Sequence, residues 1–250
     1  MTPDVSVCAS ADALADAAAI RIATLAGSAV RARGRFIMAL SGGTTPRATY
    51  RRLADPAFAA QVPWAQVHVV WGDERCVAPD DPRSNYGMAR TALLDRVPVP
   101  ASQIHRIEGE IDPALAGQRY EATLRRLLGT PKGPPRSEPG ARIDLVLLGL
   151  GDDGHTASLF PGSEALGEVD RWAVPAFPAA VPTPRVTLTL PVIAAAAEIL
   201  FLVSGAAKAR ILGRVLDPVS RPSELPAQSV ARSSAHVRWI VDAPAATALT

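Results

Sequence analysis

Short runs of β-branched and apolar residues alternate along this chain with longer stretches in which apolar positions recur every three or four residues. That alternation predicts strands and helices taking turns. Residues 5–8 read as a first strand. Ser10 is placed to cap a helix reaching about Arg33, with Leu14, Ala18, Ile22, Leu25 and Ala29 on one face and Gly34 as its stop. Phe36–Leu40 predicts a second strand, after which Pro46 suits the first turn of a helix carrying Tyr50 and Leu53. Val67–Trp71 is a third strand, Ser84 caps a helix to about Val97, and residues 113–128 form another. The run 143–148, apolar but for Asp144, has the character of a parallel strand covered on both faces. Further strands are expected at 172–175, 186–190, 199–203 and 237–241, with a helix from about Ala206 to Leu216 between the last two.

Such an order argues for an α/β layered sheet. Residues 129–141 contain four prolines and three glycines and break the pattern. Alternation resumes on both sides of them, so they are expected to form a surface excursion within a single domain spanning 1–250. No period of repetition is present. In open α/β sheets ligands bind beyond the carboxyl ends of the strands. That rule selects three loops, residues 41–46, 72–79 and 149–161, and the unusual side chains gather there.

Composition narrows the classes. Of 250 residues, 48% are hydrophobic and 20% charged, which excludes a disordered chain. The net charge of +2 gives no reason to expect nucleic acid or an acidic membrane as partner. The longest apolar stretch, 192–203, is about twelve residues and contains Glu198, so no membrane span is expected, since one needs roughly twenty. The first residues lack the basic and apolar regions of a signal peptide. Cys8 and Cys76 are too few for a disulfide framework. A cytoplasmic protein is the expectation. Only Lys132 and Lys208 among the 26 basic residues are lysines.

Each loop suggests chemistry. In Ser41-Gly42-Gly43-Thr44-Thr45-Pro46 two glycines let backbone N–H groups approach a ligand at a helix N-terminus, an arrangement suited to one phosphate. The bland alternative is an ordinary turn capped by Thr45, and the P-loop pattern is absent. Gly72-Asp73-Glu74-Arg75-Cys76 puts three charges at the end of an apolar strand, costly unless they pair with one another or serve a ligand. Cys76 reads as a small buried thiol rather than a nucleophile. In Gly149-Leu150-Gly151-Asp152-Asp153-Gly154-His155-Thr156 the glycines match a dinucleotide fingerprint, but two aspartates would then lie against a pyrophosphate. The segment is better read as a flexible turn holding Asp153 and His155 at the sheet edge, with His155 a general base at neutral pH. Asp152, Asp153 and His155 lack the further ligands that would complete a metal site. His68, His105 and His236 read as structural. Lys208, at a strand-to-helix turn, suits a phosphate, and Arg185 opens an apolar strand; alone, each would be a solvated charge.

Taken together, several segments resemble the 6-phosphogluconolactonase family of the glucosamine-6-phosphate isomerase/deaminase-like superfamily. They are residues 40–46, 71–75 with Ser84-Asn85-Tyr86, the long stretch 144–162, 185–190, and Ser204-Gly205-Ala206-Ala207-Lys208. They follow family order from near residue 40 to near 210. The resemblance implies a Rossmann-like three-layer α/β/α sandwich with a mostly parallel central sheet. It implies hydrolysis of 6-phospho-D-glucono-1,5-lactone to 6-phosphogluconate in the oxidative pentose phosphate pathway, with no cofactor and no metal. The partner would be the small sugar-phosphate lactone, and the protein a monomer or small homo-oligomer. On this reading Gly43, Thr44, Arg185 and Lys208 bind the substrate phosphate, and Ser41 and Gly42 also bind substrate. His155 sits at the lactone carbon with Asp73 and Arg75 nearby. Charge and position, apart from the resemblance, suggest that Asp153 orients the imidazole and that Arg75 stabilises the oxyanion, the alternative being that Asp73 positions sugar hydroxyls with Arg75 locked against it. A glucosamine-6-phosphate deaminase is the nearest rival, but that family places a carboxylate before the proline where this chain has Phe160. A sugar-phosphate sensor without catalysis is the rival of another class.

Overall fold

The computed structural model of the protein describes residues 3–130, 133, 139–178, 182–217, 219, 224–234 and 236–249. Strand β1 (Asp4–Cys8) leads into helix α1 (Ala11–Arg33), whose N-cap Ser10 accepts from the Ala13 N–H and whose stop is Gly34 in the left-handed region. Eight residues of α1, from Leu14 to Ala29, are buried, six of them alanines, so the helix lies close on its neighbours. By length and composition α1 is apolar enough to cross a membrane, contrary to the expectation that no segment is. The buried face, together with Asp12, Asp16, Arg21, Arg31 and Arg33 on the same helix, accounts for that apolarity as core packing.

Strand β2 (Phe36–Leu40), helices α2 (Thr44–Leu53) and α3 (Pro56–Ala59) and strand β3 (Val67–Trp71) follow. Strand β4 (Asp73–Arg75) comes one residue later, then α4 (Asn85–Ala92) and α5 (Pro113–Leu127). The helix expected to reach Val97 stops at Ala92, and a single 3-10 turn, Leu94–Arg96, continues it. After β5 (Leu145–Leu148) come α6 (Glu164–Gly167), β6 (Ala173–Ala176), β7 (Arg185–Leu188) and α7 (Leu190–Ala194). The chain ends with β8 (Glu198–Val203), α8 (Ala209–Leu216), α9 (Pro226–Ser233), β9 (Val237–Asp242) and α10 (Ala243–Ala246). Most of the proline-rich excursion at 129–141 lies outside the described residues.

Six strands form one sheet in the order β1-β9-β8-β5-β2-β3, and every pairing in it is parallel. Helices flank this sheet, as an all-parallel sheet requires. Its core includes Phe201 stacked on Trp239, ring centroids 3.9 Å apart. Asp144, just ahead of β5, fastens that strand to β2: its N–H donates to the Ile37 carbonyl at 2.9 Å, and its carboxylate accepts from the Ile37 N–H at 2.8 Å. Arg33 pairs with the same carboxylate at 2.5 Å.

The strand order reverses at β2 and β5. From β2 the chain moves outward to β3, whereas from β5 it moves the other way to β8 and β9. A crevice therefore opens beyond the carboxyl ends of β2 and β5, the switch point where open α/β sheets bind ligands.

Not every expected strand belongs to the central sheet. Strands β6 and β7 do not join the parallel sheet; with β4 they form a separate antiparallel sheet in the order β4-β7-β6. Residues 73–75, expected as loop, are its edge strand, in register Asp73 with Thr187, Glu74 with Val186 and Arg75 with Arg185. Strand β7 ends at Leu188 rather than 190, because Leu190-Pro191 opens α7. Helix α5 lies against this sheet so closely that a Cβ on Gly117 would come within 3.1 Å of the Ala173 carbonyl.

Candidate active site

Glu74 holds the edge of the small sheet in place although it does not line the cleft between the strand ends. Its buried carboxylate accepts from the N–H groups of Arg75, Asn85 and Tyr86 at 2.7 Å each and from the Ser84 hydroxyl at 3.0 Å. Burial pushes its pKa up, against the pull of those N–H donors. The carboxylate thus ties the N-terminus of α4 to β4, and this aims Asp73 and Arg75, on either side of it, into the crevice.

Asp73 is buried and receives three contacts. The Ser158 hydroxyl donates to its Oδ2 at 2.6 Å, the Asn85 amide donates to its carbonyl at 2.9 Å and to Oδ1 at 3.3 Å, and the Arg185 guanidinium lies 3.9 Å away. Because the Asn85 nitrogen faces two groups that can only accept, its Oδ1 must turn the other way, toward Gly42. A Cβ on Gly42 would lie 1.9 Å from that oxygen, so no residue but glycine fits there with Asn85 in place.

The third loop is tethered by hydrogen bonds at several points. The Gly151 N–H donates to the His155 carbonyl at 2.9 Å, Thr156 Oγ1 to the Gly149 carbonyl at 2.8 Å, and the Ser158 N–H to Thr187 Oγ1 at 3.2 Å. The imidazole of His155 lies over Gly151, where a Cβ would approach Nδ1 to 2.1 Å. Asp153 accepts from the His155 N–H at 3.0 Å and meets Nδ1 at 2.5 Å. Burial raises the Asp153 carboxyl pKa, but the His155 N–H and the imidazole outweigh burial and hold it below its ordinary value. An ionised carboxylate only accepts, so Nδ1 carries the hydrogen and Nε2 is left as the basic nitrogen. Phe160 packs on the ring with centroids 4.6 Å apart. Ala157, two residues on, has a φ of 49°, which a non-glycine residue adopts at a cost.

These pieces converge on one cleft of about 300 Å³. Of the residues singled out in the sequence, Ser41, Gly42, Gly43, Thr44, Asp73, Arg75, His155, Arg185 and Lys208 all line it, while Asp153 stands behind His155. Gly43, not Thr45, is the N-cap of α2, and no side chain closes the first turn of that helix. Lys208 sits in the 3-10 turn Ala206–Lys208 ahead of α8, and its ammonium pairs with the exposed Asp152 at 2.6 Å. Opposite, Arg75 donates to the Arg83 carbonyl at 2.6 Å, and Arg185 lies 5.5 Å from the centre of the Phe160 ring. Burial lowers the Arg185 pKa and the nearby charge of Arg75 adds to this, with Asp73 pulling the other way. Three cations thus face a crevice at a helix N-terminus, a setting for an anion.

Four buried polar atoms of cleft residues have no partner: Ser41 Oγ, Asn85 Oδ1, Arg75 Nε and Arg185 Nε. Unpartnered polar atoms are rare in protein interiors. All four belong to residues that line the cleft. Asn85 was not singled out as a site residue by sequence; its signs are a polar side chain directly after the helix cap Ser84 and its place in the Ser84-Asn85-Tyr86 segment of the resemblance. His68 and His105 meet each other at 3.2 Å and do not line the cleft, and Cys76 is half-buried with its thiol pKa raised by burial to about 11. Among the described residues no cluster of three or more His, Cys, Asp or Glu is arranged to hold a metal.

Fold and cleft together define an α/β protein with a cationic crevice for a small ligand at the ends of its parallel strands. The chain belongs to the glucosamine-6-phosphate isomerase/6-phosphogluconolactonase family, which matches residues 9–239. It is 40% identical over 232 residues to the 6-phosphogluconolactonase of Nostoc sp., covering 92% of this chain and 91% of that one. It is 37% identical to the 6-phosphogluconolactonase of Mycobacterium tuberculosis over 100% of this chain and 99% of the other. The solved structure of the 6-phosphogluconolactonase from Trypanosoma cruzi superposes with a TM-score of 0.85 at 31% identity, over 99% of this chain and 97% of that one.

Proposed function

We propose that this chain, acting as one catalytic domain in the cytoplasm, hydrolyses 6-phospho-D-glucono-1,5-lactone to 6-phosphogluconate in the oxidative pentose phosphate pathway. The observation that carries this reading is the Asp153–His155 pair at 2.5 Å, opening onto the same cleft as the uncapped turn of α2, Lys208 and two arginines. The 6-phosphogluconolactonases among its relatives support it. The substrate phosphate takes the N–H groups at Gly43 and Thr44, with Ser41, Gly42, Arg185 and Lys208 around them. His155 Nε2 takes a proton from a water as that water attacks the C1 carbonyl, and Asp153 stabilises the imidazolium. Arg75 faces the oxyanion that forms, and Asp73 accepts from sugar hydroxyls. Collapse of the tetrahedral intermediate breaks the C1 to ring-oxygen bond, and the imidazolium returns its proton to the departing oxygen. No step calls for a cofactor.

The deaminase reading would place a carboxylate where Phe160 stands, and the ring found on His155 supplies no proton. The test is lactone consumption with the substrate made in situ and its spontaneous hydrolysis subtracted. A large excess rate is expected, falling about 10²–10⁴-fold in His155→Ala. Full activity in that variant would overturn the mechanism, and phosphosugar binding without turnover would favour a sensor.

A further inference from the structure

Leu40 and Trp71 form the last cross-strand pair of β2 and β3. Just beyond them β2 turns into a cleft loop, and β3 passes through Gly72 into β4, whose Asp73 and Arg75 line the cleft. A strand that leaves its ladder strips partners from its backbone N–H and C=O groups, and in a dry interior those groups must be satisfied some other way. At both strand ends one phenol does so. The Tyr50 hydroxyl accepts from the Ser41 N–H and donates to the Ser41 carbonyl, both at 2.9 Å. The Tyr120 hydroxyl accepts from the Trp71 N–H at 2.6 Å and donates to the Trp71 carbonyl at 2.8 Å. Tyr50 comes from α2 and Tyr120 from α5, and both side chains are buried.

The two clasps differ in what they replace. Strand β3 is at the sheet edge, where the Val69 carbonyl takes the His105 N–H at 2.8 Å and Trp71 takes Tyr120. The phenol there completes an edge that has no further strand. Strand β2 is internal, and Tyr50 stands in for the ladder only at Ser41, where the chain departs. Burial pushes the pKa of both phenols up, so each keeps the hydrogen it donates at any working pH.

Ser41 lies two residues before Gly43, and Trp71 two before Asp73. We infer that Tyr50 and Tyr120 are positioning residues for the two halves of the substrate, an assignment that rests on the function proposed above. Tyr50 holds the 41–44 turn against the phosphate. Tyr120 holds the Trp71-Gly72-Asp73 turn against the reacting end of the sugar. If the rings served packing alone, phenylalanine would replace them without functional effect.

Phenylalanine in place of either tyrosine keeps the ring and removes only the oxygen. In Tyr50→Phe the KM for the lactone and the inhibition constant of inorganic phosphate are expected to rise together by about tenfold, the worth of roughly one hydrogen bond, with kcat within about twofold of the parent. In Tyr120→Phe kcat is expected to fall about tenfold, with phosphate inhibition unchanged. General loosening of the fold would not divide the two constants this way. Folded variants with unchanged constants, or with the same change in both, would overturn the inference. Amide exchange in the parent protein gives a reading that needs no variant: the Ser41 and Trp71 protons are expected to exchange slowly, and rapid exchange at both would overturn the clasps. If the parent turned over no lactone, the proposed function would fall, while phosphate affinity in Tyr50→Phe would still decide the role of Tyr50.

Discussion

The parallel sheet and the small antiparallel sheet meet at Gly72, and their strands are built on different terms. In β2, β5 and β8 every residue is buried, and all but Glu198 are apolar. Strand β4 reads Asp-Glu-Arg, and its register sets Arg75 directly opposite Arg185. Like charges facing across an antiparallel pair destabilise it. The parallel sheet gains from its own burial, whereas the small sheet carries charges that need partners from α4, from the 149–161 loop and from Arg185. Its strand is held by neighbours: Glu74 by α4, Asp73 by Ser158 and Asn85. The parallel sheet thus meets the cleft only through the loops at its strand ends, whereas the small sheet brings residues of the strands themselves to it, with support from elsewhere.

The largest effect that would sharpen this contrast is on the parallel side. Phe201→Ala removes the ring stacked on Trp239 and is expected to cost about 3–5 kcal/mol in urea unfolding, with kcat/KM of the folded fraction unchanged. Gly151→Ala attacks the site from beneath: the added Cβ falls 2.1 Å from the His155 Nδ1, so the imidazole must move. A displacement of about 1 Å costs about 10²-fold in kcat, and thermal melting should change far less than in Phe201→Ala. Arg185→Met removes one of the two facing guanidiniums. The expected result is unfolding stability equal to or above the parent's and a KM raised by about tenfold, as one charged hydrogen bond to the substrate is lost. A large loss of stability in this variant would break the contrast between the sheets.

The smallest effect is in pH dependence, because each sheet has one buried carboxylate bound to a helix N-terminus. Burial works against the Asp242 charge too, but the Ser204 hydroxyl and the N–H groups of Gly205 and Ala245 outweigh it, so its pKa is lowered. Its contribution to stability is present above the ordinary aspartate value near 3.9 and is lost as pH falls through the lower folded value. Glu74 has the opposite sign. Its raised pKa means that folding favours the protonated form, so its contribution declines as pH rises through the folded value. Urea unfolding at a series of pH values is expected to show a flatter acid limb in Asp242→Asn below about pH 4, and in Glu74→Gln a flatter profile above about pH 4.3. Parallel profiles in the two variants would remove the difference between them.

Much of this was legible in the sequence because it is local or chemically costly to place elsewhere. The strands of the parallel sheet stand out as apolar runs, α1 begins and ends at Ser10 and Gly34, and the three loops carry charges and glycines that an ordinary turn does not need. Nine of the ten residues singled out for the site line the cleft, and Asp153 backs His155. Strand β4 was not legible, since three charged residues have no strand character until β7, more than a hundred residues on, pairs with them. For the same reason no local pattern told that β6 and β7 pair with β4 apart from the parallel sheet. Short helices such as α7 and α9 gave no separate signal.

The sequence by itself determined the alternating α/β order, the loops that bear the chemistry and the residue types gathered in them, because periodicity, caps and buried charge act over a few neighbours. Only the tertiary structure decided that Arg75 faces Arg185, that the Asn85 oxygen turns toward Gly42, and that two tyrosines clasp the ends of β2 and β3. Those facts depend on which distant backbone groups lose their partners when the sheets assemble, and no local pattern records that loss.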